Sequence, residues 1–156
     1  MNLSPYRVAP DSPQIGAILS LIRKSFAFMD GRIDPPSSMH RLTEKAVADH
    51  AARHEIWAIG TPPLAVVFLT VKPGRLYLGK LAVDAGLRGQ GLARRLVAQA
   101  ETRARALGLP MIELETRVEL VENHATFTKL GFVRTGETAH PGYDRPTSIT
   151  MQKTLV

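Results

Sequence analysis

The sequence predicts an α/β fold, a mixed sheet with helices on its faces, folded as a single domain over residues 1–156. Three observations predict it. Apolar residues recur at helical spacing in two stretches, near the N-terminus and in the middle of the chain. Between and after them come short apolar runs bounded by Gly and Pro turns, the pattern of strands. No repeat, linker or low-complexity tract divides the chain, and its 44% apolar and 22% charged content suits one packed core. A chain of this length buries roughly two thirds of its unfolded surface, so no staples are needed.

Taken in order, Tyr6-Arg7-Val8 reads as a short first strand. Asp11 or Ser12 can cap a helix with Pro13 in its first turn, and Ile15, Ile18, Leu19, Ile22 and Phe26 then mark its buried stripe. That helix fades near Phe28, where Asp30-Gly31 and Asp34-Pro35-Pro36-Ser37-Ser38 are loop chemistry. Residues 43–53 form a second, shorter helix capped at or near Thr43. Strands follow over 55–59, 64–71 and 75–83, separated by Gly60-Thr61-Pro62-Pro63 and Lys72-Pro73-Gly74. A long helix covers about 91–107, with Leu92, Leu96, Val97, Ala100, Ala104 and Leu107 inward and Arg94, Arg95, Glu101, Arg103 and Arg105 mostly outside. Gly108 and Pro110 stop it. A strand over 111–117, a short helix over 123–130 ended by Gly131, and strands over 132–139 and 147–155 complete the order β-α-α-β-β-β-α-β-α-β-β.

Composition narrows function. The chain has no cysteine, which excludes disulfides, thiolate metal sites and a covalent cysteine mechanism. Met1–Pro5 shows neither a basic leader nor an apolar stretch. The longest apolar run, 64–69, is far short of the roughly 20 residues of a membrane span. The reading is a soluble, cytoplasmic protein. Net charge is +6 with a pI near 10.1. The arginines are scattered, which favours a basic surface with one small-ligand anion site over a nucleic-acid footprint. The nearest cluster is Arg88, Arg94, Arg95, Arg103 and Arg105.

That cluster begins at the most informative segment, Leu81-Ala82-Val83-Asp84-Ala85-Gly86-Leu87-Arg88-Gly89-Gln90-Gly91-Leu92-Ala93. A strand runs into a Gly-rich turn that opens an amphipathic helix. The first N–H groups of a helix lack intrahelical partners and its dipole favours negative charge there, so this is an anion site suited to phosphate. A tight strand-to-helix turn with no ligand would have the same glycines. Gly74 to Lys80 imitates a P-loop, but Leu81 stands where a hydroxyl is required and the segment alternates like a strand. Gly89 and Gly91 begin a dinucleotide fingerprint, but Arg94 fills the third glycine's place.

Arg88-x-x-Gly91-x-Ala93 resembles the pyrophosphate signature [QR]-x-x-G-x-[GA] of the GNAT superfamily of acetyl-CoA-dependent N-acetyltransferases. The preceding Leu81-Ala82-Val83-Asp84 is similar to that family's lead-in strand. Asn123-His124-Ala125-Thr126-Phe127-Thr128-Lys129-Leu130-Gly131-Phe132 is similar to its second motif. The element order matches along nearly the whole chain, which implies the family's fold with splayed central strands. The resemblance implies that acetyl-CoA is held by Arg88, Gly89, Gln90, Gly91, Leu92 and Ala93 at its pyrophosphate. It places the pantetheine arm along Leu81, Ala82 and Val83, with Asn123 on that arm and Phe127 near the sulfur. It implies acetyl transfer to a primary amine by direct attack, without a metal.

Two positions depart from the family. Phe127 stands where a tyrosine often protonates the thiolate, and Tyr77 where some members carry a carboxylate. Leu114-Glu115-Thr116-Arg117 resembles the L-E-V-R of enzymes acting on ribosomal-protein N-termini, which makes Glu115 the candidate general base; a glutamate without catalytic role is the other reading. Tyr143, on the loop 139–148, is the candidate acid. The loop 28–37 is long for a compact domain; in the family this region covers the acceptor, and Asp30 or Asp34 would attract a cationic amine there. His50 and His54 have the spacing of a helical metal pair but no third ligand, which favours a solvated helix end. Trp57 reads as core or sheet packing. A non-catalytic acyl-CoA-binding or sensing module, and an acetyltransferase with a nucleic-acid-associated substrate, are the alternatives. The resembling family often forms homodimers; no residue here specifies one.

Overall fold

The computed structural model describes residues 2–155, with His40 described in its backbone alone. Its strands are β1 (Tyr6–Arg7), β2 (Glu55–Ile59), β3 (Ala65–Lys72), β4 (Arg75–Val83), β5 (Met111–Arg117), β6 (Val133–Thr138) and β7 (Ser148–Thr154). Its helices are α1 (Ile15–Ala27), α2 (Glu44–Arg53), α3 (Leu92–Ala106) and α4 (Val121–Lys129), with 3-10 turns at Ser38–Arg41 and Ala85–Leu87. The strands form one sheet in the order β1-β2-β3-β4-β5-β7-β6. Every neighbouring pair is antiparallel except β4–β5, which is parallel and joined through α3. This is the mixed α/β sheet that the element order predicts.

Strand periodicity sends alternate side chains to two cores. Val8, Ile56, Ala58, Val66, Phe68 and Ala82 meet Ile15, Ile18, Leu21, Ile22 and Val47 of α1 and α2. On the opposite face Val67, Leu69, Leu76, Leu78, Ile112, Leu114, Ile149 and Met151 meet the α3 stripe, together with Phe127 and Phe132. Leu92, Leu96, Val97, Ala100 and Ala104 of that stripe are buried. Leu107 is not. It is the C-cap of α3, where the helix has already ended, and is 41% exposed. The start of α1 also differs: Gln14 occupies the cap position without a side-chain bond, while the Ser12 hydroxyl accepts from the Gln14 N–H. Thr43 caps α2 by accepting from the Ala46 N–H at 3.1 Å.

Two polar ties cross from α3 to the sheet. Arg103 makes a two-pronged bond to Glu55, with both N···O distances 2.8 Å, and the Trp57 indole N–H donates to the same carboxylate. Lys153 of β7 pairs with Glu101 at 2.8 Å. The sequence-predicted outer face of α3 is therefore partly spent on the sheet. The bond from Arg103 holds the Glu55 carboxyl below its ordinary value, assisted by Trp57 and opposed by burial. A depressed carboxyl stabilises the fold above its unfolded pKa, and that stability is lost as pH falls through the folded value. Glu55→Gln should therefore reduce the unfolding free energy by about 1–3 kcal/mol at neutral pH, by leaving Arg103 short of its partner. In urea titrations the deficit should shrink towards nothing at acid pH.

Candidate functional site

The site grows out of a fault in the sheet. β4 and β5 pair only at Leu76↔Ile112 and Tyr77↔Glu113. Beyond that, β4 carries a bulge: Val66 faces Ala82 but Phe68 faces Gly79, so β4 has one residue more than β3 over this stretch. Lys80 absorbs it with φ +48°, a left-handed conformation unusual for a residue with a Cβ. The bulge reverses the alternation, so Leu76 and Leu78 before it, and Leu81 and Val83 after it, all face the α3 core. Bulges bend the strand that carries them. Here the bent β4 and the straight β5 part, and a cavity of about 490 Å³ opens between them. That is the size of a small-ligand pocket.

Tyr77 to Leu81 form one wall and Leu114 to Arg117 the other. Asn123, in the first turn of α4, and Phe127 line the same cavity, with Phe127 edge-on to Phe132 at 5.7 Å. So Leu81, Asn123, Phe127 and Glu115, named from sequence, come together. Glu115 is exposed, and among the described residues its carboxylate has no hydrogen-bond or ion-pair partner. Tyr77 lies beside it. Burial first, then the Glu115 and Glu113 charges, push its phenol up to about 12, so it is un-ionised at neutral pH.

From the cavity β4 leads through Ala82 and Val83 to the turn before α3. Gly89 and Gly91 have φ +80° and +82°, and a Cβ on either would meet nothing within 4 Å. Backbone conformation, not crowding, demands glycine there. Gly91 is the N-cap of α3, without a side-chain cap bond, and no acidic residue occupies the first turn. The opening N–H groups of a fifteen-residue helix are thus left for an anion. Arg88 stands next to them, its guanidinium 4.9 Å from the centre of the exposed Phe28 ring.

The far end of the cavity is closed by two loops. Met29, Ile33 and Ser37 of the first, with Ser38 and Met39 just after it, reach the lining, as do Ala139, His140 and Pro141 of the second. Arg32 makes a two-pronged ion pair with Glu122 of α4, and this bond lowers the exposed Glu122 carboxyl to about 2. The Glu119 carboxylate accepts from the Asp34 N–H at 3.1 Å. Asp34 accepts from the Tyr143 hydroxyl at 2.7 Å and from Arg145 at 3.0 Å. Tyr143 therefore sits at the rim, outside the lining, with its proton engaged; the bond to Asp34 raises its pKa. Asp34, suggested as an attractor for the acceptor, is instead the knot between the loops. Asp30 is exposed on a turn.

The sequence reading did not find Lys80 or Arg117. Arg117 lines the cavity while donating to Pro35 O at 2.7 Å and Pro36 O at 3.3 Å. Its position two residues after Glu115, on the same face of β5, was the available signal. His50 packs on Phe68 and its Nε2 meets Leu69 O at 3.1 Å; burial lowers its pKa. It is a half-buried packing residue, not a solvated one. Among the described residues no group of three metal-binding side chains comes together, and no helix is long and apolar enough to cross a membrane.

A mixed sheet parted at its one parallel pair, followed by an open helix start, is the architecture that the GNAT resemblance implies. The acetyltransferase (GNAT) family model matches residues 19–132, and the chain belongs to that family. An IAA acetyltransferase of Azospirillum brasilense is 29% identical over 153 residues, 95% of this chain and 97% of that protein. The structure of an IAA acetyltransferase from Bacillus cereus ATCC 14579 superposes with a TM-score of 0.68 at 20% identity, over 98% of this chain and 99% of that one. The PaiA N-acetyltransferase of Thermoplasma acidophilum, solved in complex with coenzyme A, gives 0.83 at 11% identity over 99% of both chains.

The loop ties predict a local effect. Arg32→Ala should raise amide exchange across residues 28–37 and leave the global unfolding midpoint essentially unchanged, since the pair is exposed. Exchange mass spectrometry beside a denaturant titration measures both.

Proposed function

We propose that the protein transfers acetyl from acetyl-CoA to a primary amine by direct attack of the amine on the thioester. One observation carries this reading: the cavity between the parted strands holds an unpaired carboxylate, and β4 leads from it to an uncapped, glycine-opened helix start. The α3 start and Arg88 to Ala93 would hold the pyrophosphate through backbone N–H groups. Leu81, Ala82 and Val83 would run beside the pantetheine arm, with Asn123 on it and Phe127 against the sulfur. Where β4 no longer pairs with β5, its N–H and C=O groups on that edge have no strand partner and can bond an extended ligand arm.

Chemically, an ammonium has no lone pair and must lose a proton before it attacks. Glu115, unpaired and facing the un-ionised Tyr77, is the base in this reading. The thioester oxygen gains charge as the carbon becomes tetrahedral, and a β4 backbone N–H near Leu81 would stabilise it. The chain has no cysteine, so no thiol can accept the acetyl group on the way. Phe127 cannot donate a proton to the departing thiolate. It need not, because a thiol of pKa about 8.5 leaves readily near neutral pH. Tyr143 would serve as the acid only by giving up its bond to Asp34. The hydroxyl-free Phe127 also fits a second reading, a module that binds acyl-CoA without turning it over.

Thiol release from acetyl-CoA across a panel of amines separates the two, since only the enzyme releases thiol in an amine-dependent way. Gly91→Glu should weaken acetyl-CoA binding by about 100-fold or more, through a side chain at φ +82° and a like charge at the anion site. Calorimetry of the folded variant reads this, and unchanged affinity would remove the loop from the site. Glu115→Gln should leave acetyl-CoA affinity unchanged and slow turnover by about 10²–10⁴-fold, with the acid limb of the pH profile altered. Parent-like rates across the pH range would exclude Glu115 as the base.

A further inference from the structure

The acceptor's chemistry follows from the charges around Glu115, and this inference rests on the acyl-transfer reading of the cavity. Glu115 and Arg117 are two positions apart on one face of β5, which puts their Cα atoms about 6.6–6.8 Å apart. Both line the cavity. Among the described residues neither has an ion-pair partner. Arg117 spends two of its N–H donors on the carbonyls of Pro35 and Pro36, neutral groups that leave its charge uncompensated and further donors free.

Four other carboxylates near this end are engaged, and the exposed Asp30 and Asp144 lie outside the lining. Asp34 holds Tyr143 and Arg145, Glu122 holds Arg32, Glu119 holds the Asp34 N–H, and Glu113 holds Arg75 and Gln152. Glu115 is thus the one carboxylate in the described lining, against Lys80, Arg117 and the His140 imidazole. A polyamine or other multiply cationic acceptor needs several carboxylates and would meet the wrong sign of charge here. A compact zwitterion meets the right sign at both ends.

An apolar wall stands beside the charged pair. Phe26, Met29, Ile33 and Met39 line the same cavity from α1 and the chain that follows it. We propose that the acceptor is a free apolar α-amino acid, its ammonium at Glu115, its carboxylate on Arg117 and its side chain against this wall. Arg117 is then a specificity-determining residue. The deprotonated α-amino nitrogen forms the amide C–N bond, the thioester C–S bond breaks, and its electron pair leaves on the thiolate. Nitrogen loses two protons in all: the first passes through Glu115 to solvent before attack, and the second, shed as the tetrahedral adduct becomes the amide, goes to the thiolate. The N-acetyl product has lost the ammonium that Glu115 held, which favours its release.

Leucine, leucinamide and isoamylamine separate this from its alternatives, because they keep the amine and apolar group while altering or deleting the carboxylate. Each is titrated calorimetrically into parent protein saturated with CoA. Leucine should bind about ten-fold or more tightly than the other two, the worth of a charge-assisted Arg–carboxylate pair. In Arg117→Gln that preference should disappear, and in Arg117→Lys part of it should return. Leucinamide or isoamylamine binding the parent as tightly as leucine overturns the proposal, as does a preference that survives Arg117→Gln or an absence of binding by all three. The parent's preference is decisive even if the variants misfold. Failure of CoA itself to bind shows separately that the acyl-transfer reading is wrong, and the three ligands can then be compared on the free protein.

Discussion

Two parallel strands at the centre of a sheet ordinarily satisfy each other's backbone N–H and C=O groups along their whole length. β4 and β5 stop after two paired positions, Leu76↔Ile112 and Tyr77↔Glu113. The extra residue of β4, taken up at Lys80, bends that strand away while β5 stays in full register with β7 from Met111 to Arg117. One side of the gap is thus fixed and the other displaced. The proposed function uses the gap throughout: the cavity lies in it, β4 exits from it into the α3 start, and Glu115 and Arg117 line the stretch of β5 that β4 has left. Packing Leu76, Leu78, Leu81 and Val83 on one face despite the bulge, the first two buried and the last two half-buried, lets the sheet accept the fault without losing its α3 core.

Rigidity is supplied where the gap needs it. Arg75 and Gln152 both bond Glu113 at the last paired position of β5, and Arg103 and Lys153 tie α3 to β2 and β7. The loops that close the far end of the cavity are held differently, by exposed pairs such as Arg32–Glu122 and Arg145–Asp34. Such exposed pairs contribute little to stability. That division suits the proposed reading, in which the cosubstrate seat is built in and the acceptor enters past the loops.

Much of this was legible in the residues. The strands 55–59, 75–83 and 111–117 lie where the sequence puts them, because Gly60-Thr61-Pro62-Pro63 and Lys72-Pro73-Gly74 punctuate apolar runs too short for helices. Thr43 and Gly91 mark helix starts by side-chain chemistry and by backbone freedom. The start of α4 was not legible: its cap position is Leu120, which offers no capping group, and the helix opens at Val121 rather than Asn123. Lys80 was not either, since nothing in Leu78-Gly79-Lys80-Leu81 distinguishes a bulge from an even strand. The ties of Asp34 to Tyr143 and Arg145 join residues more than a hundred positions apart. No local pattern reports those, and they move Tyr143 from candidate acid to loop anchor in the structure.

The account stands on the claim that the gap and the α3 start together form the seat of an acyl-CoA. Calorimetric titration of the folded protein with acetyl-CoA, with NADH and ATP as phosphate-bearing controls, tests it most directly. Saturable binding of acetyl-CoA and none by the controls is the predicted result, because only a pantetheine arm can use the open edge of β4 as well as the helix start. Equal binding of all three would reduce the site to a general anion cradle. Absence of acetyl-CoA binding would contradict the account.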